Sequence, residues 1–129
     1  LGITRIGYKT NYMPGFWYSE TNHQVDNNFE DVSDISNFLK LNSKLNHNKS
    51  ILIFNKVPEI NAISKNKINE WLNIAIVKAE KNKINGKELT PFLIKEINNL
   101  SNNKTLKANV SLIINNANFA GKIAKNFYS

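Results

Sequence analysis

Two asparagines, Asn109 and Asn116, stand seven residues apart in a stretch that otherwise reads as an apolar helix, LKANVSLIINNANFA at 106–120. At 3.6 residues per turn, Asn109, Leu112, Ile113, Asn116 and Ala120 share one face, with a drift of only about 20° over seven residues. The amides are therefore expected to point the same way as the aliphatic stripe. A buried amide left without partners costs roughly 1–3 kcal/mol. Asparagine is also a poor helix former, so propensity does not explain the placement. Each amide needs a hydrogen-bonding partner, and that partner is either neighbouring backbone or a ligand. The residues alone leave both readings open.

Other side chains suited to chemistry are sparse. The chain has no cysteine, which removes disulfides, thiolate nucleophiles and zinc–thiolate sites together and fits a reducing, cytoplasmic setting. His23 and His47 lie in polar surroundings with no second histidine or acidic partner at ligand spacing, so both are expected at the surface. Lys87 and Glu88 either pair with each other or serve a site. The net charge of +7 would attract phosphate or nucleic acid if the lysines clustered. Instead they spread through 40–50, 65–87 and 95–107 among 24 asparagines, and Arg5 is the single arginine. Arginine is the usual bidentate reader of bases and phosphates, so direct nucleic-acid binding is disfavoured. Joint enrichment in Asn, Lys and Ile reads as coding bias. No apolar run approaches the roughly 18 residues of a membrane span, and the first ten residues lack the apolar core of a signal peptide. No membrane partner is expected. The chain starts on Leu1 rather than Met, so it is expected to begin mid-gene.

The elements that must position the amides follow from periodicity. A composition of 41% hydrophobic and 21% charged residues over 129 positions predicts one folded domain or part of one, residues 1–129. Residues 3–8 are branched and aromatic and read as a strand, followed by a long loop that carries Met13-Pro14-Gly15 and the aromatic trio Phe16, Trp17 and Tyr18. That trio either plugs a core or lines a pocket, core being favoured. From Asp31 the positions Val32, Ile35, Phe38, Leu39, Leu41 and Leu45 recur at helical spacing, with Asp31 or Ser33 as cap. Residues 50–55 form a continuous apolar run, expected of a parallel strand covered on both faces. The loop after it, from Lys56, lies where open α/β sheets place ligand loops. Ser64 should cap a helix to about residue 83, with Asn85-Gly86 ending it through a left-handed residue. Thr90 then reads as the N-cap of a helix with Pro91 at its first position, and Thr105 as the cap of the last one.

Four runs carry a resemblance. GYKT at 7–10 with PGFW at 14–17, NKVPE at 55–59, GKELTPFL at 86–93 and LKANVSLIINNA at 106–117 occur in the order and spacing of the pseudouridine-5'-phosphate glycosidases, also called indigoidine synthase A-like proteins. The chain resembles only the later part of that family, whose members are roughly twice as long. It departs from the usual pattern at Lys56, where the family has Pro, and at Gly15, where it has Ala. The resemblance implies an α/β fold, an α/β/α sandwich with a largely parallel sheet, of which this chain is the C-terminal portion, and a homotrimer.

It also implies an activity, the reversible cleavage of the carbon–carbon glycosidic bond of pseudouridine 5'-phosphate to uracil and ribose 5-phosphate, with a divalent metal, usually manganese. A carbon leaving group suits the two-carboxylate glycosidase scheme poorly. A lysine amine that attacks the anomeric carbon and opens the sugar allows a retro-aldol-like cleavage. The family's lysine, its metal-binding aspartate and its acidic proton donor precede the segment matched here, so no catalytic or metal residue is assigned in this chain. Asn109 matches the asparagine that contacts uracil; Asn116 and Thr90 are further substrate-binding candidates. The alternative is a non-catalytic interaction or assembly domain that retains the family packing.

Overall fold

The computed structural model describes residues 2–45 and 49–129. The expectation for His47 falls outside them. Three short strands form a parallel sheet in the order β2-β1-β3: β1 (Thr4–Tyr8) at the centre, β2 (Asn27–Phe29) and β3 (Ile51–Phe54) at its sides. Ile6 sits opposite both Asn27 and Ile53 and is fully buried. Gly7 is required at the next position, because a Cβ there would lie 2.0 Å from the Thr10 carbonyl oxygen. The chain leaves β1 through Lys9 at φ 54, and the Thr10 backbone N–H donates to Asn28 Oδ1 at 3.1 Å.

The polar strand β2 carries no period-two signal of its own. It is held by its pairing with β1 and by the lone arginine. Asp26 Oδ1 accepts from Arg5 Nη2 at 2.7 Å and Asp26 Oδ2 from the Arg5 backbone N–H at 2.8 Å. That guanidinium bond, then the backbone bond, holds the Asp26 carboxyl below the usual carboxylate range. Arginine here serves the sheet corner.

Strand β3 departs from the expectation of two covered faces. Ile51 and Ile53 pack on a cluster around Ile6, Ile35 and Phe119, whereas Leu52 is 47% exposed. Among the described residues β3 pairs only with β1.

Four helices complete the fold: α1 (Val32–Lys44), α2 (Lys65–Lys81), α3 (Leu89–Leu100) and α4 (Lys104–Tyr128). Helix α1 buries Ile35 and Ser36 against α4, and the Ser36 hydroxyl lies 2.9 Å from the Val32 carbonyl and 3.2 Å from that of Ile123. Ser64 caps α2 as expected, accepting from Lys67 N–H at 3.4 Å. The end of α2 is a correction. Its left-handed residue is Lys83, at φ 55, and the Ile84 N–H returns to the Ala79 carbonyl at 3.0 Å, the long bond of a Schellman turn. Gly86, at φ 58, instead opens the short 3₁₀ turn Gly86–Glu88.

That turn also overturns the N-cap role of Thr90. Glu88 already has helical dihedrals, φ −85 and ψ −17, and α3 begins at Leu89. Thr90 is thus the second residue of the helix, and Pro91 remains in the first turn, where its missing N–H still costs nothing. Thr105 is displaced similarly. Helix α4 starts at Lys104 after Asn103 at φ 62, and the buried Thr105 hydroxyl sits 3.0 Å from Ser101 Oγ and 3.3 Å from Asn98 Oδ1.

At 25 residues, α4 is the long spine of the fold. Ala108 belongs to a core formed with Trp17, Val57, Ile68, Trp71, Ala75 and Ile97. Phe119 belongs to the second cluster and stacks on Tyr8 with ring centroids 4.4 Å apart.

Candidate functional site

The inward face of α4 is rotated from the expected one. Thr105, Ala108 and Phe119 are buried and Leu112 is packed on the core, whereas Ile113 is 67% exposed and Asn116 and Ala120 are also exposed. With about 100° per residue, Asn109 and Asn116 lie some 80–100° from Ala108 on the flank of the buried stripe. Both amides share a side, as expected, but that side is the border between core and surroundings.

The two amides have different partners. Asn109 is half-buried; its Oδ1 is fully enclosed and has no hydrogen-bond partner among the described residues. It lines a cavity of about 180 Å³ with Trp17, Asn98, Thr105 and Leu106, closed further by α3 side chains including Pro91 and Ile94. Asn98, beside it in the lining, is engaged elsewhere: its Oδ1 accepts from Thr105 Oγ1 and Leu106 N–H, both at 3.3 Å, and one N–H of its Nδ2 donates to Asn103 Oδ1 at 2.9 Å. Trp17 Nε1 is the second enclosed polar atom without a partner. Its backbone is pinned, the Trp17 carbonyl accepting from Ile63 N–H at 2.9 Å.

The loop that delivers Trp17 accounts for Gly15, where the resemblance leads to an expectation of Ala. A Cβ on Gly15 would lie 2.4–2.6 Å from the Tyr18 ring, so this loop, with Tyr18 folded back, admits Gly where an Ala would collide. The aromatic trio divides accordingly. Trp17 enters the core and lines the cavity at once, while Phe16 stays 55% exposed and meets Trp17 edge-on at 4.9 Å. Sequence reasoning offered core and pocket as alternatives with core favoured, and Trp17 takes part in both.

Asn116 serves the far end of the site region. Asn55 Nδ2 donates to Asn116 Oδ1 at 3.1 Å, and Asn115 Nδ2 donates to the Lys56 carbonyl at 3.3 Å. Two neighbouring amides of α4 therefore hold the loop that leaves β3. Lys56 itself pairs with Glu20 at 3.6 Å, and Glu20 accepts from Thr10 Oγ1 at 3.2 Å. Neither Asn116 nor Thr90 lines the cavity of Asn109; Thr90 is exposed on α3, as are Lys87 and Glu88 before it, and His23 is exposed in its loop.

Chemically, the cavity combines apolar walls from Trp17, Pro91, Ile94 and Leu106 with the polar side chains of Lys95, Asn98, Thr105 and Asn109. No group of three or more His, Asp or Glu side chains close enough to hold a metal occurs among the described residues. Outside the cavity, α4 carries a second apolar stripe, with Leu106, Val110, Ile113 and Ile114 all about half exposed or more. Much of it borders an open groove of about 630 Å³. Among the described residues no helix is long and apolar enough to cross a membrane.

Comparison with known proteins places this geometry. The sequence profile of the family described as "Indigoidine synthase A like protein" matches residues 1–126. A pseudouridine-5'-phosphate glycosidase of Kosmotoga olearia is 38% identical over 122 residues, covering 95% of this chain and 42% of the relative; one from Petrotoga mobilis is 37% identical over 126 residues, covering 98% and 41%. The chain thus spans about two fifths of these curated relatives, their C-terminal part. Among solved structures, an indigoidine synthase A-like protein of Thermotoga maritima matches with TM-score 0.77 at 30% identity, over 95% of this chain and 40% of that one. The prealnumycin C-glycosynthase AlnA, in complex with ribulose 5-phosphate, matches with TM-score 0.87 at 21% identity, over 98% and 41%. The latter is a likeness of fold.

Proposed function

Because the chain belongs to the indigoidine synthase A-like family, we propose that it is the uracil-binding portion of a pseudouridine-5'-phosphate glycosidase. The complete enzyme adds water across the carbon–carbon glycosidic bond, giving uracil and ribose 5-phosphate, and runs reversibly. Its lysine nucleophile and its manganese ligands lie in sequence outside this chain, and this chain alone is inactive. We place the enzyme in the cytoplasm as a homotrimer.

One observation carries the reading. The residue that the family resemblance assigns to uracil lines a cavity, and its carbonyl oxygen is enclosed and unpaired among the described residues. An unsatisfied buried acceptor is uncommon in native interiors and calls for an explanation. A pyrimidine supplies one, because an amide both donates and accepts and so complements the alternating groups of a uracil edge. The role of Asn109 is to hold the base in register while the sugar carbon bonded to it is attacked elsewhere. Positioning of this kind lowers a barrier by removing the entropy of misoriented encounters. Asn116 and Thr90 belong to the same proposal as outer contacts: Asn116 would exchange Asn55 for substrate beside the β3 loop, and Thr90 offers an unburied hydroxyl on α3.

The exposed stripe of α4 favours the second reading, an assembly domain without chemistry, because that stripe needs a covering partner whether or not a substrate binds. Incubating the complete protein with pseudouridine 5'-phosphate and manganese separates the two. Release of free uracil, reduced in Asn109→Ala with the fold intact, supports the enzyme; an assembled protein that releases none leaves the assembly role.

A further inference from the structure

We propose that Asn85-Gly86 is a site of self-modification: the Gly86 backbone nitrogen closes on the Asn85 side-chain carbonyl carbon, ammonia leaves, and water opens the resulting imide to aspartate or isoaspartate. The reaction is separate from the proposed activity and uses water alone as co-reactant.

The sequence singles the pair out. Of 24 asparagines, only Asn85 is followed by glycine. Everywhere else the next residue carries a Cβ that crowds its nitrogen, whereas glycine adds no such bulk and reaches backbone conformations closed to other residues. The local structure then leaves both reacting groups free. Asn85 and Gly86 are exposed; Asn85 is extended, at φ −146 and ψ −178, and its side chain makes no capping hydrogen bond. Gly86 has nothing within 4 Å of where a Cβ would stand, and its N–H donates to no backbone carbonyl among the described residues. Asn42, Asn73, Asn99, Asn115 and Asn118 differ, since they lie inside helices, where the following N–H is tied into the i→i−4 ladder.

The chemistry needs only atoms that are already neighbours. Nucleophile and electrophile sit on adjacent residues, so their encounter is intramolecular and requires torsional motion alone. The Asn85 carbonyl accepts from Glu88 N–H at 3.3 Å, and a donor on that oxygen stabilises the negative charge that spreads over the peptide when Gly86 nitrogen gives up its proton. That nitrogen bonds Asn85 Cγ, the Cγ–Nδ2 bond breaks, and Nδ2 departs as ammonia with one proton in place of the one Gly86 lost. One water then opens the imide. Attack at the Cγ carbonyl gives aspartate, and attack at the main-chain carbonyl gives isoaspartate, whose backbone runs through Cβ and Cγ. Either product lowers the net charge of +7 by one. Isoaspartate also lengthens the joint between α2 and α3 by one carbon, and α3 supplies Pro91, Ile94, Lys95 and Asn98 to the cavity that Asn109 lines.

The test incubates the complete folded protein and follows its proteolytic peptides by mass spectrometry and chromatography. The peptide carrying residues 85 and 86 should exchange the mass of NH for that of O before any other asparagine peptide changes, and should split into an aspartyl and an isoaspartyl form. Its rate should rise about tenfold per pH unit, as the ionised fraction of a weak acid does well below its pKa. Asn85→Gln, which would have to close a larger ring, should stay unmodified over the same period. The proposal is overturned if the peptide stays unchanged in the complete protein while a short unfolded peptide of the same sequence converts, or if another asparagine converts first. An aspartyl product without its isoaspartyl partner would equally overturn it, because direct hydrolysis of the side-chain amide gives aspartate alone.

Discussion

Replacing Asn109 by Leu separates a structural amide from a ligand-binding one. The two side chains branch alike at Cγ, so the substitution exchanges an enclosed, unpaired carbonyl for carbon, with the added volume directed at the adjoining cavity. A buried acceptor without a partner costs about 1–3 kcal/mol, and Leu improves on Asn in a helix interior by a few tenths of a kcal/mol. The ligand-free Asn109→Leu enzyme is therefore expected to be more stable than wild type by about 1–3 kcal/mol, read as a higher denaturation midpoint at unchanged slope in urea. Uracil should reverse the order. At a hundred times its Kd, a ligand adds about 2.7 kcal/mol to the protein that binds it, so wild type gains on saturation while Asn109→Leu gains little. Destabilisation of the ligand-free variant by 1 kcal/mol or more would refute the reasoning, since it would mean that the carbonyl already has a partner in the complete protein.

Three further substitutions test the frame around the site. Gly7→Ala places a methyl 2.0 Å from the Thr10 carbonyl in the central strand and should cost about 1–3 kcal/mol, as overpacked interiors do, measured by urea unfolding. Gly15→Ala collides with the Tyr18 ring and should be destabilising alone but close to neutral in a Tyr18→Ser background; equal costs in both backgrounds would remove the collision as the cause. Because Arg5 holds the folded Asp26 carboxyl below its ordinary range, that pair stabilises the fold above the unfolded carboxylate pKa, near pH 4, and the contribution is lost as pH falls through the lower folded value. Asp26→Asn should therefore lower stability at neutral pH and flatten the acid limb of the stability profile, whereas a parallel limb would exclude the pair.

The residues themselves show why parts of this fold and site were readable and others not. Thr4–Tyr8, Val32–Lys44, Ile51–Phe54 and Lys65–Lys81 announce themselves through their own periodicity, and Ser64 marks a helix start because its hydroxyl has a local target. The short strand Asn27–Phe29 has no such signal, since what holds it, Arg5 and the edge of β1, lies about twenty positions away. Thr90 and Thr105 fail as caps because the backbone becomes helical before each of them, after a 3₁₀ turn in one case and a left-handed Asn103 in the other. Asn109 was legible as an amide out of place, and the resemblance gave it a ligand. Trp17 was not, because its position depends on how the eighteen-residue segment between β1 and β2, 9–26, returns to Ile63 and past Tyr18. The facing direction of α4 was read nearly right, the discrepancy being a rotation that moves Ile113 and Asn116 out and Phe119 in.

Helix α4 touches the cavity at Asn109 and the sheet at Phe119, ten residues later and so about 15 Å further along its axis. It acts as a lever arm. Pivoting about Phe119 by only some 4° would carry Asn109 through about 1 Å, a displacement that at a reacting centre can cost on the order of a hundredfold in rate. Aromatic packing between Tyr8 and Phe119, ring centroids 4.4 Å apart, thereby bears on where Asn109 stands.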